Sequence, residues 1–198
     1  MLTEEEILKN KESFLSLIRS IERDGADIEG LITKLEHSDF FYAPASTKYH
    51  CAFEGGLCYH SLNVYKKLVD LCQLTNISIS PTSIIIISLL HDLSKMNFYE
   101  TVLRNTKNEF GEWVKVPYIQ VKNAKDRFIF GNHEQNSLYM IETFIPLTLA
   151  ESVAILHHHA GMSWDCAQDN VGDVFNKYPL ALLLHTADMF ATYIDENE

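Results

Sequence analysis

Residues 80–95, SPTSIIIISLLHDLSK, predict an apolar helix around which the rest of the chain must pack. Pro81 follows a serine, which is typical of a helix start, because proline at the first helical position gives up no hydrogen bond. Residues 84–90 are apolar on nearly all faces of this helix, which indicates a central, buried position. His91 and Asp92 stand where the helix ends, so the most apolar helix of the chain carries two polar side chains into the core.

Helical periodicity dominates the rest of the chain. A capping box, Thr3-x-x-Glu6, predicts a first helix that runs to Gly25, and Asp27 is placed to cap a short second helix. The segment 38–54 mixes aromatic residues, Pro44 and small polar residues, and is expected to be an ordered loop. Further helices are predicted after Gly55-Gly56 and at about 133–144, 147–159 and 178–195.

The pattern changes to β between Tyr99 and Val121. Runs typical of strands occupy 101–103, 113–116 and 118–121, and a turn is plausible at 108–111. We therefore expect a small hairpin or three-stranded insertion, called here the flap (residues 99–121). The sequence predicts one all-α domain over residues 1–198 that contains this flap, with N-terminal helices in 1–37.

Composition narrows the function classes. The 198 residues include 16 Lys plus Arg against 27 Asp plus Glu, a net charge of −11 with His neutral. An acidic surface argues against duplex nucleic acid and anionic membranes as partners. The N-terminus is acidic, unlike a signal peptide, and no apolar run approaches the roughly 20 residues of a membrane span. No C-x-x-C pair joins Cys51, Cys58, Cys72 or Cys166, so reduced thiols and a cytoplasmic location are expected.

Polar residues recur on the apolar faces of three predicted helices. His60 lies three residues after Leu57, and Asp188 lies four residues after Leu184, so both join the inward stripes with His91 and Asp92. A buried carboxylate is costly unless it is paired or bound to a metal. Imidazole and carboxylate together suit Mn, Fe, Co, Ni or Zn. Each residue alone could also be a hydrogen-bonded core side chain, but together the four favour a metal.

The order of these residues resembles a known signature. His60, His91-Asp92 and Asp188 resemble the H…HD…D pattern of the HD-domain metal-dependent phosphohydrolases. The segments GGLCYHS (55–61), LLHDLSK (89–95) and AILHHH (154–159) are similar to the branch that includes YhaM-type 3′–5′ exoribonucleases and small stand-alone bacterial and phage hydrolases. The resemblance covers about residues 45–195 and implies an all-helical HD bundle.

The resemblance also implies a ligand set for one or two divalent transition metal ions, with Mg as a further possibility. One ion would be held by His60, His91, Asp92 and Asp188, and Asp92 would bridge to a second. Relatives place a histidine directly after a glycine for the second ion, whereas this chain has Asn132 there and His133 one residue later. His133 and His158 are the candidates, and the second ion stays open.

Helix geometry also limits which of the other histidines can face the site. Successive helical residues diverge by about 100°, so at least one of the three histidines in 157–159 should point away from the site. His37, His50 and His185 are expected to have structural roles.

Two further groups are candidates for the chemistry. Asp92 and Lys95 are the expected catalytic residues, since a metal generates hydroxide and the Lys95 ammonium, one turn later, can reach a bound phosphate. The alternative for Lys95 is a cation placed favourably at a helix C-terminus. The flap offers Arg104, Lys107 and Trp113, which with Tyr118 could supply charge and a stacking surface for a base. The alternative is an ordinary solvated hairpin.

The expected function is hydrolysis of a phosphoester of a nucleotide or another small phosphate ester by metal-activated water. One alternative is a 3′–5′ exonuclease or phosphodiesterase on RNA or single-stranded DNA, which the acidic chain and the lack of a strand-rich binding module disfavour. Another is a metal-binding regulatory module without turnover. The expected partner is a small phosphorylated substrate, with no duplex nucleic acid and no membrane, and a homo-oligomer is left open.

Overall fold

The computed structural model describes residues 1–160 and 170–196, and in this part of the chain the helices pack around the apolar helix Pro81–Leu90 while one antiparallel hairpin lies exposed outside them. This confirms the predicted all-α fold with a small β insertion. The elements are α1 (Glu4–Arg19), α2 (Ile28–Glu36), α3 (Gly56–Thr75), α4 (Pro81–Leu90), β1 (Tyr99–Lys107), β2 (Trp113–Val121), α5 (His133–Glu142), α6 (Leu149–Leu156), α7 (Val171–Lys177) and α8 (Pro179–Phe190). Short 3₁₀ turns span Leu93–Lys95 and Ala124–Asp126, and a π-helix spans Ala191–Asp195.

Local signals explain where the helices begin. Capping boxes, in which a side chain at each end of the first turn bonds the backbone of the other, open α1, α5 and α6. Ser80 caps α4 by accepting from the Ser83 N–H, directly before Pro81. The prediction for the end of the first helix was wrong, because α1 stops at Arg19 rather than near Gly25. The Ser20 hydroxyl donates to the Leu17 carbonyl, a local bond that competes with the helical ladder.

The core is centred on α4, as its composition predicts. Ile86, Ile87, Leu89 and Leu90 are completely buried. α3 packs against both α4 and α8, while α6 packs on α8 and α4, so the inward faces of these helices meet around the end of α4. The polar residues that follow Leu90 therefore emerge inside the bundle.

Residues 38–54 form an ordered loop, as predicted. Phe40 and Phe41 are buried and contact Phe14 of α1, with ring centroids 5.0 and 5.7 Å from that ring. The loop then passes so close to the start of α3 that a Cβ on Gly56 would lie 2.1 Å from the Cys51 carbonyl oxygen. Gly55 takes a positive φ of 80°, which glycine adopts without strain.

The flap is a two-stranded hairpin, which settles one of the two forms that the sequence allows. Its register runs from Tyr99 opposite Val121 to Lys107 opposite Trp113. The expected turn is present, with the Asn108 side chain accepting from the N–H groups of Phe110 and Glu112. The two strand runs predicted at 113–116 and 118–121 are one strand, because Pro117 is tolerated in a strand that has one free edge.

The C-terminal third departs most from the predicted boundaries. α6 ends at Leu156, and residues 157–160 form a turn instead of continuing the helix. α7 was not predicted, and the helix expected over 178–195 is α8 followed by the π-helix. Cys51, Cys58 and Cys72 are unpaired thiols, as expected, whereas Cys166 lies outside the described residues. Within the described ranges no helix is long and apolar enough to cross a membrane.

Candidate metal centre

Six of the predicted site residues meet inside the bundle, and we call them the histidine–aspartate cluster. They come from α3, the end of α4, the start of α5, the turn after α6, and α8. In chain order they are His60, His91, Asp92, His133, His158 and Asp188. Elements far apart in sequence therefore supply one site, because the inward faces of the helices around α4 converge there.

Asp92 lies at the middle of the cluster, with its two carboxylate oxygens facing different histidines. Its Oδ2 lies 3.7 Å from Nε2 of His60 and 3.5 Å from Nε2 of His91. Its Oδ1 lies 2.5 Å from Nε2 of His133 and 3.7 Å from Nε2 of His158. Asp188 closes the first side, with Oδ1 3.2 Å from Nε2 of His60. The two oxygens of Asp92 therefore face two different sets of imidazole nitrogens.

The cluster is buried except on one side. Of its six side chains only His133, 27% exposed, has appreciable contact with solvent. Two carboxylates in such a place need compensating charge, since an unpaired buried charge costs several kcal/mol, on the order of the penalties measured for buried ion pairs. The exposed edge of His133 marks the open side of the cluster.

Hydrogen bonds on the outer ring nitrogens fix which nitrogen faces inward. Nδ1 of His91 donates to the Ser88 carbonyl at 2.8 Å, and Nδ1 of His158 donates to the Ile155 carbonyl at 2.6 Å. Nδ1 of His60 lies 3.0 Å from a carboxylate oxygen of Glu196. Metal-binding histidines characteristically use one nitrogen in this way and present the other to the ion.

The inward ring nitrogens have the burial and the free lone-pair positions that a metal site needs. Nε2 of His60, His91 and His158 is buried, and among the described residues none of the three has a hydrogen-bond partner of good geometry. Sets of three donor atoms lie within 4.8 Å of one another, including His60–His91–Asp92 and His91–His158–Asp188. Donors around a divalent transition metal are bound at about 2.0–2.2 Å, so separations of this size suit one ion.

The pKa values reflect how strongly these charges interact. Burial lowers the pKa of His91 to about 3, so its ring is neutral and offers a lone pair. Burial also lowers the pKa of His60, but Asp188 and Glu196 outweigh it and raise that pKa to about 10. Burial opposes ionisation of Asp92, yet Lys95 and the neighbouring histidines hold the pKa of its carboxyl well below the usual range.

Lys95 is part of this site and does not point to solvent. Its ammonium lies 2.6 Å from Oδ2 of Asp92, and the side chain is almost entirely buried. Asp92 raises the pKa of Lys95 despite the opposing effect of burial, so the side chain is a cation. The 3₁₀ turn Leu93–Lys95 directs it back towards the cluster.

Four residues near the cluster were not predicted as site residues. Glu196 bonds His60, and Glu134 accepts from Nδ1 of His159 at 3.1 Å, while Nε2 of that ring lies 3.6 Å from Asp188. His50 lies with its ring centroid 4.8 Å from that of His60 and has a buried Nε2 without a partner among the described residues. Loop and terminal positions have no helical period, so no sequence pattern could have found Glu196 or His50.

The remaining histidines behave as structural residues. Nδ1 of His185 donates to the His158 carbonyl at 2.7 Å, and Nδ1 of His37 donates to the Thr33 carbonyl at 2.8 Å. Of the three histidines after α6, His157 is the one that turns away, with its Nδ1 bonded to the Val153 carbonyl. His185 thus holds the backbone that presents His158.

The flap residues are placed along an exposed hairpin. Arg104 stacks over Tyr118, 3.5 Å from its centroid, and Lys107 lies over Trp113 at 5.4 Å. Lys107 and Trp113 are at the distal end, eight residues along β1 from Tyr99, about 27 Å in an extended strand. Within the described ranges no hydrogen bond or ion pair joins them to the cluster, so their role stays a prediction.

Residues 57–193 match the family model of the HD domain, a range that contains all six residues of the histidine–aspartate cluster. No curated protein and no solved structure matches the chain.

Proposed function

The chain belongs to the HD-domain family of metal-dependent phosphohydrolases, and we propose that it hydrolyses a phosphoester of a nucleotide or another small phosphate ester. The observation that carries the proposal is Asp92, whose two oxygens face two different groups of inward histidine nitrogens inside a buried site. If two ions were bound, Asp92 could be a ligand to both, and a pair of ions can stabilise the attacking and leaving oxygens of a phosphoryl transfer.

The residues divide into two ligand sets for divalent transition metal ions. His60, His91, Asp92 and Asp188 would hold one ion. Asp92, His133 and His158 would hold a second, with His159 close enough to join them, since it forms a donor triad with those two histidines. Such ions supply a water of pKa about 7 and a Lewis acid for the phosphoryl oxygens. Nitrogen and oxygen donors favour Mn, Fe, Co, Ni or Zn over Mg.

The chain's own residues would orient the substrate. The Lys95 ammonium is fixed against Asp92 and can donate to a phosphoryl oxygen placed on the cluster, which neutralises charge that develops during transfer. The Ser94 hydroxyl lies 2.6 Å from Nδ1 of His133 and holds that ring at the open side. A phosphate would therefore enter past His133 and meet Lys95.

We further propose that a substrate long enough to extend from the cluster along the hairpin contacts Arg104, Lys107 and Trp113. Trp113→Ala is then expected to raise KM by about fivefold or more, since stacking on a base contributes about 1–3 kcal/mol, with metal content unchanged. Steady-state kinetics measure this, and Phe110→Ala, in the exposed turn of the same hairpin, is the control. Equal KM values for the two variants would mean that the flap is an ordinary solvated hairpin.

The decisive experiment combines metal analysis with a substrate panel. The purified protein is analysed for bound metal and then assayed with mono-, tri- and cyclic nucleotides and a phosphodiester dye ester, with Mn, Co, Ni and Mg. We expect metal-dependent turnover that Asp92→Asn abolishes together with metal binding. Asp70→Asn, an exposed carboxylate on α3, is the matched control and retains both.

Other outcomes separate the competing functions. Wild-type protein that binds no metal and hydrolyses nothing under these conditions contradicts the proposal. Metal binding without turnover of any substrate indicates a regulatory module. Binding to oligonucleotides that weakens steeply with salt, with release of mononucleotides, indicates an exonuclease.

A further inference from the structure

A cavity lies beside the 3₁₀ turn Leu93–Lys95 and α5, and its lining includes none of the histidine–aspartate cluster. It has a volume of about 590 Å³. Pockets for small molecules typically measure about 300–1,000 Å³, so this one has room for a ligand of that size. Its walls come from α2, the turn, the segment 125–128 and α5, which the fold brings together from distant parts of the sequence.

Apolar and aromatic side chains form much of the wall. Leu31 and Leu93 are fully buried at its base, and Met96 lies next to them. Phe128 and Tyr139 stack nearly parallel, with centroids 5.7 Å apart and ring planes 22° apart. Both rings are partly exposed, so an apolar face is offered to whatever enters. A flat, apolar body fits such a wall.

The wall of the cavity carries a net positive charge, whereas the chain as a whole is negative. Lys34, Lys125 and Arg127 line the cavity against one acid, Asp126, although the chain as a whole carries a net charge of −11. Nε of Arg127 is buried and, within the described residues, makes no hydrogen bond. Arg127 is partly exposed where it lines the cavity, and its guanidinium is a cation with which an anionic ligand can pair. The guanidinium itself lies 5.0 Å over the Phe98 ring, which holds its plane.

We infer that this cavity is a second binding site, separate from the candidate metal centre, for an organic anion with a flat apolar body. The body would pack on Leu93, Phe128 and Tyr139, and the anionic head would accept from Arg127. The inference does not depend on the proposed hydrolysis, because every contact that it uses lies outside the cluster.

A pair of matched probes tests the inference. 8-Anilinonaphthalene-1-sulfonate carries an aromatic body and a sulfonate, and N-phenyl-1-naphthylamine carries the same body without the charge. Fluorescence titration is expected to show one saturable site for the sulfonate probe. Arg127→Gln should weaken that binding about tenfold, the loss expected for a hydrogen bond to a charged group, and leave the neutral probe unchanged.

Two further variants control the titration. Thr143→Trp places a large side chain at an exposed position of the wall and should weaken both probes. Arg19→Gln, an exposed arginine at the end of α1, should change neither. Circular dichroism and urea unfolding establish that each variant is folded. Binding of the sulfonate probe that is non-saturable, or equally tight in wild type, Arg127→Gln and Thr143→Trp, overturns the inference.

Discussion

Lys95 and four histidines surround the buried carboxylate of Asp92 and offset its negative charge. Lys95 touches Oδ2, and His133 touches Oδ1. A single buried carboxylate with so many donors remains ionised, which agrees with the lowered pKa of its carboxyl. Among these partners of Asp92 only Lys95 is not a candidate metal ligand, so its contribution can be measured separately from metal binding.

Lys95→Gln should lower kcat/KM by about a hundredfold or more while metal content stays near that of the wild type. The reason is that the amide lacks the charge that would stabilise phosphoryl oxygens in the transition state, and removing one donor to a developing oxyanion costs about 10²–10³ in rate. Kinetics and metal analysis of the same preparations measure the two quantities. Lys9→Gln, exposed on α1, serves as control. A parallel loss of metal would show instead that Lys95 acts by holding Asp92.

Glu196 is a positioning residue for His60. Its side chain is fully buried and accepts from His60 Nδ1 at 3.0 Å and from the Asn63 amide at 2.9 Å. Glu196→Gln should therefore weaken metal binding by about 10–100-fold, the usual cost of removing a carboxylate behind a ligating histidine. Calorimetric titration with Mn²⁺ measures it. Asp195→Asn, a neighbouring carboxylate paired with Lys67 instead, should leave the affinity unchanged.

The residues of the site were predictable to different degrees. His60, His91, Asp92 and Asp188 stand out because an apolar helical stripe makes a polar residue conspicuous. Glu196 and His50 carry no such contrast, because they lie beyond the α-helices or in a loop. Only the folded chain places them beside His60.

At the scale of elements, the start of α3 controls the position of His60. Gly56→Ala should lower the free energy of unfolding by about 1–3 kcal/mol, because the new Cβ meets the Cys51 carbonyl and the backbone must shift. Urea denaturation measures the change. Gly111→Ala is the comparison: its Cβ would meet nothing within 4 Å, so only its φ of 80° costs energy. A shift in α3 should also weaken metal binding, whereas the Gly111 variant should bind normally.

Element boundaries were less predictable than element types. The starts of the helices were predictable because capping boxes and Pro81 act through residues close together in the sequence. The end of α1 depends on a local hydrogen bond of Ser20. The end of α6 depends on the turn at 157–160, whose backbone conformation goes with the tertiary contacts of the histidines in it. His158 and His159 can both face inward because that turn has left the helical spiral.

At the scale of the molecule, the buried carboxylates predict acid sensitivity of the metal-free protein. Hydrogen bonding to His159 and to His60 lowers the pKa values of Glu134 and Glu196 from an ordinary 4.5 to about 2, against the effect of burial. The unfolded chain then binds more protons than the native one between these values. The stabilisation is complete above pH 4.5 and is lost as the pH falls towards 2.

Urea denaturation at pH 5.5, 4.5 and 3.5 measures this, and we expect the free energy of unfolding to change little between pH 5.5 and 4.5 and to fall clearly between pH 4.5 and 3.5. Each carboxylate contributes on the order of 3 kcal/mol by this linkage. Glu134→Gln should have a shallower dependence, because its amide does not titrate. Identical slopes for the variant and the wild type would show that the Glu134–His159 contact does not stabilise the native state.

The helical architecture was predictable from the sequence because α4 is apolar on nearly all faces and can be stable only in the core. The flap followed as well, since its β-branched and aromatic runs break the helical period. α7 and the π-helix did not, because segments of seven and five residues are too short for a period to show.

The contact between His60 and Glu196 joins positions 136 residues apart. Ligands from α3, α4, α5 and α8 would likewise make a bound ion a cross-link that closes most of the chain into loops. Closing loops removes conformational freedom from the unfolded chain, more for longer loops. A bound ion would therefore stabilise the folded chain relative to the unfolded one, and we expect a chelator to lower the free energy of unfolding of the metal-bound protein.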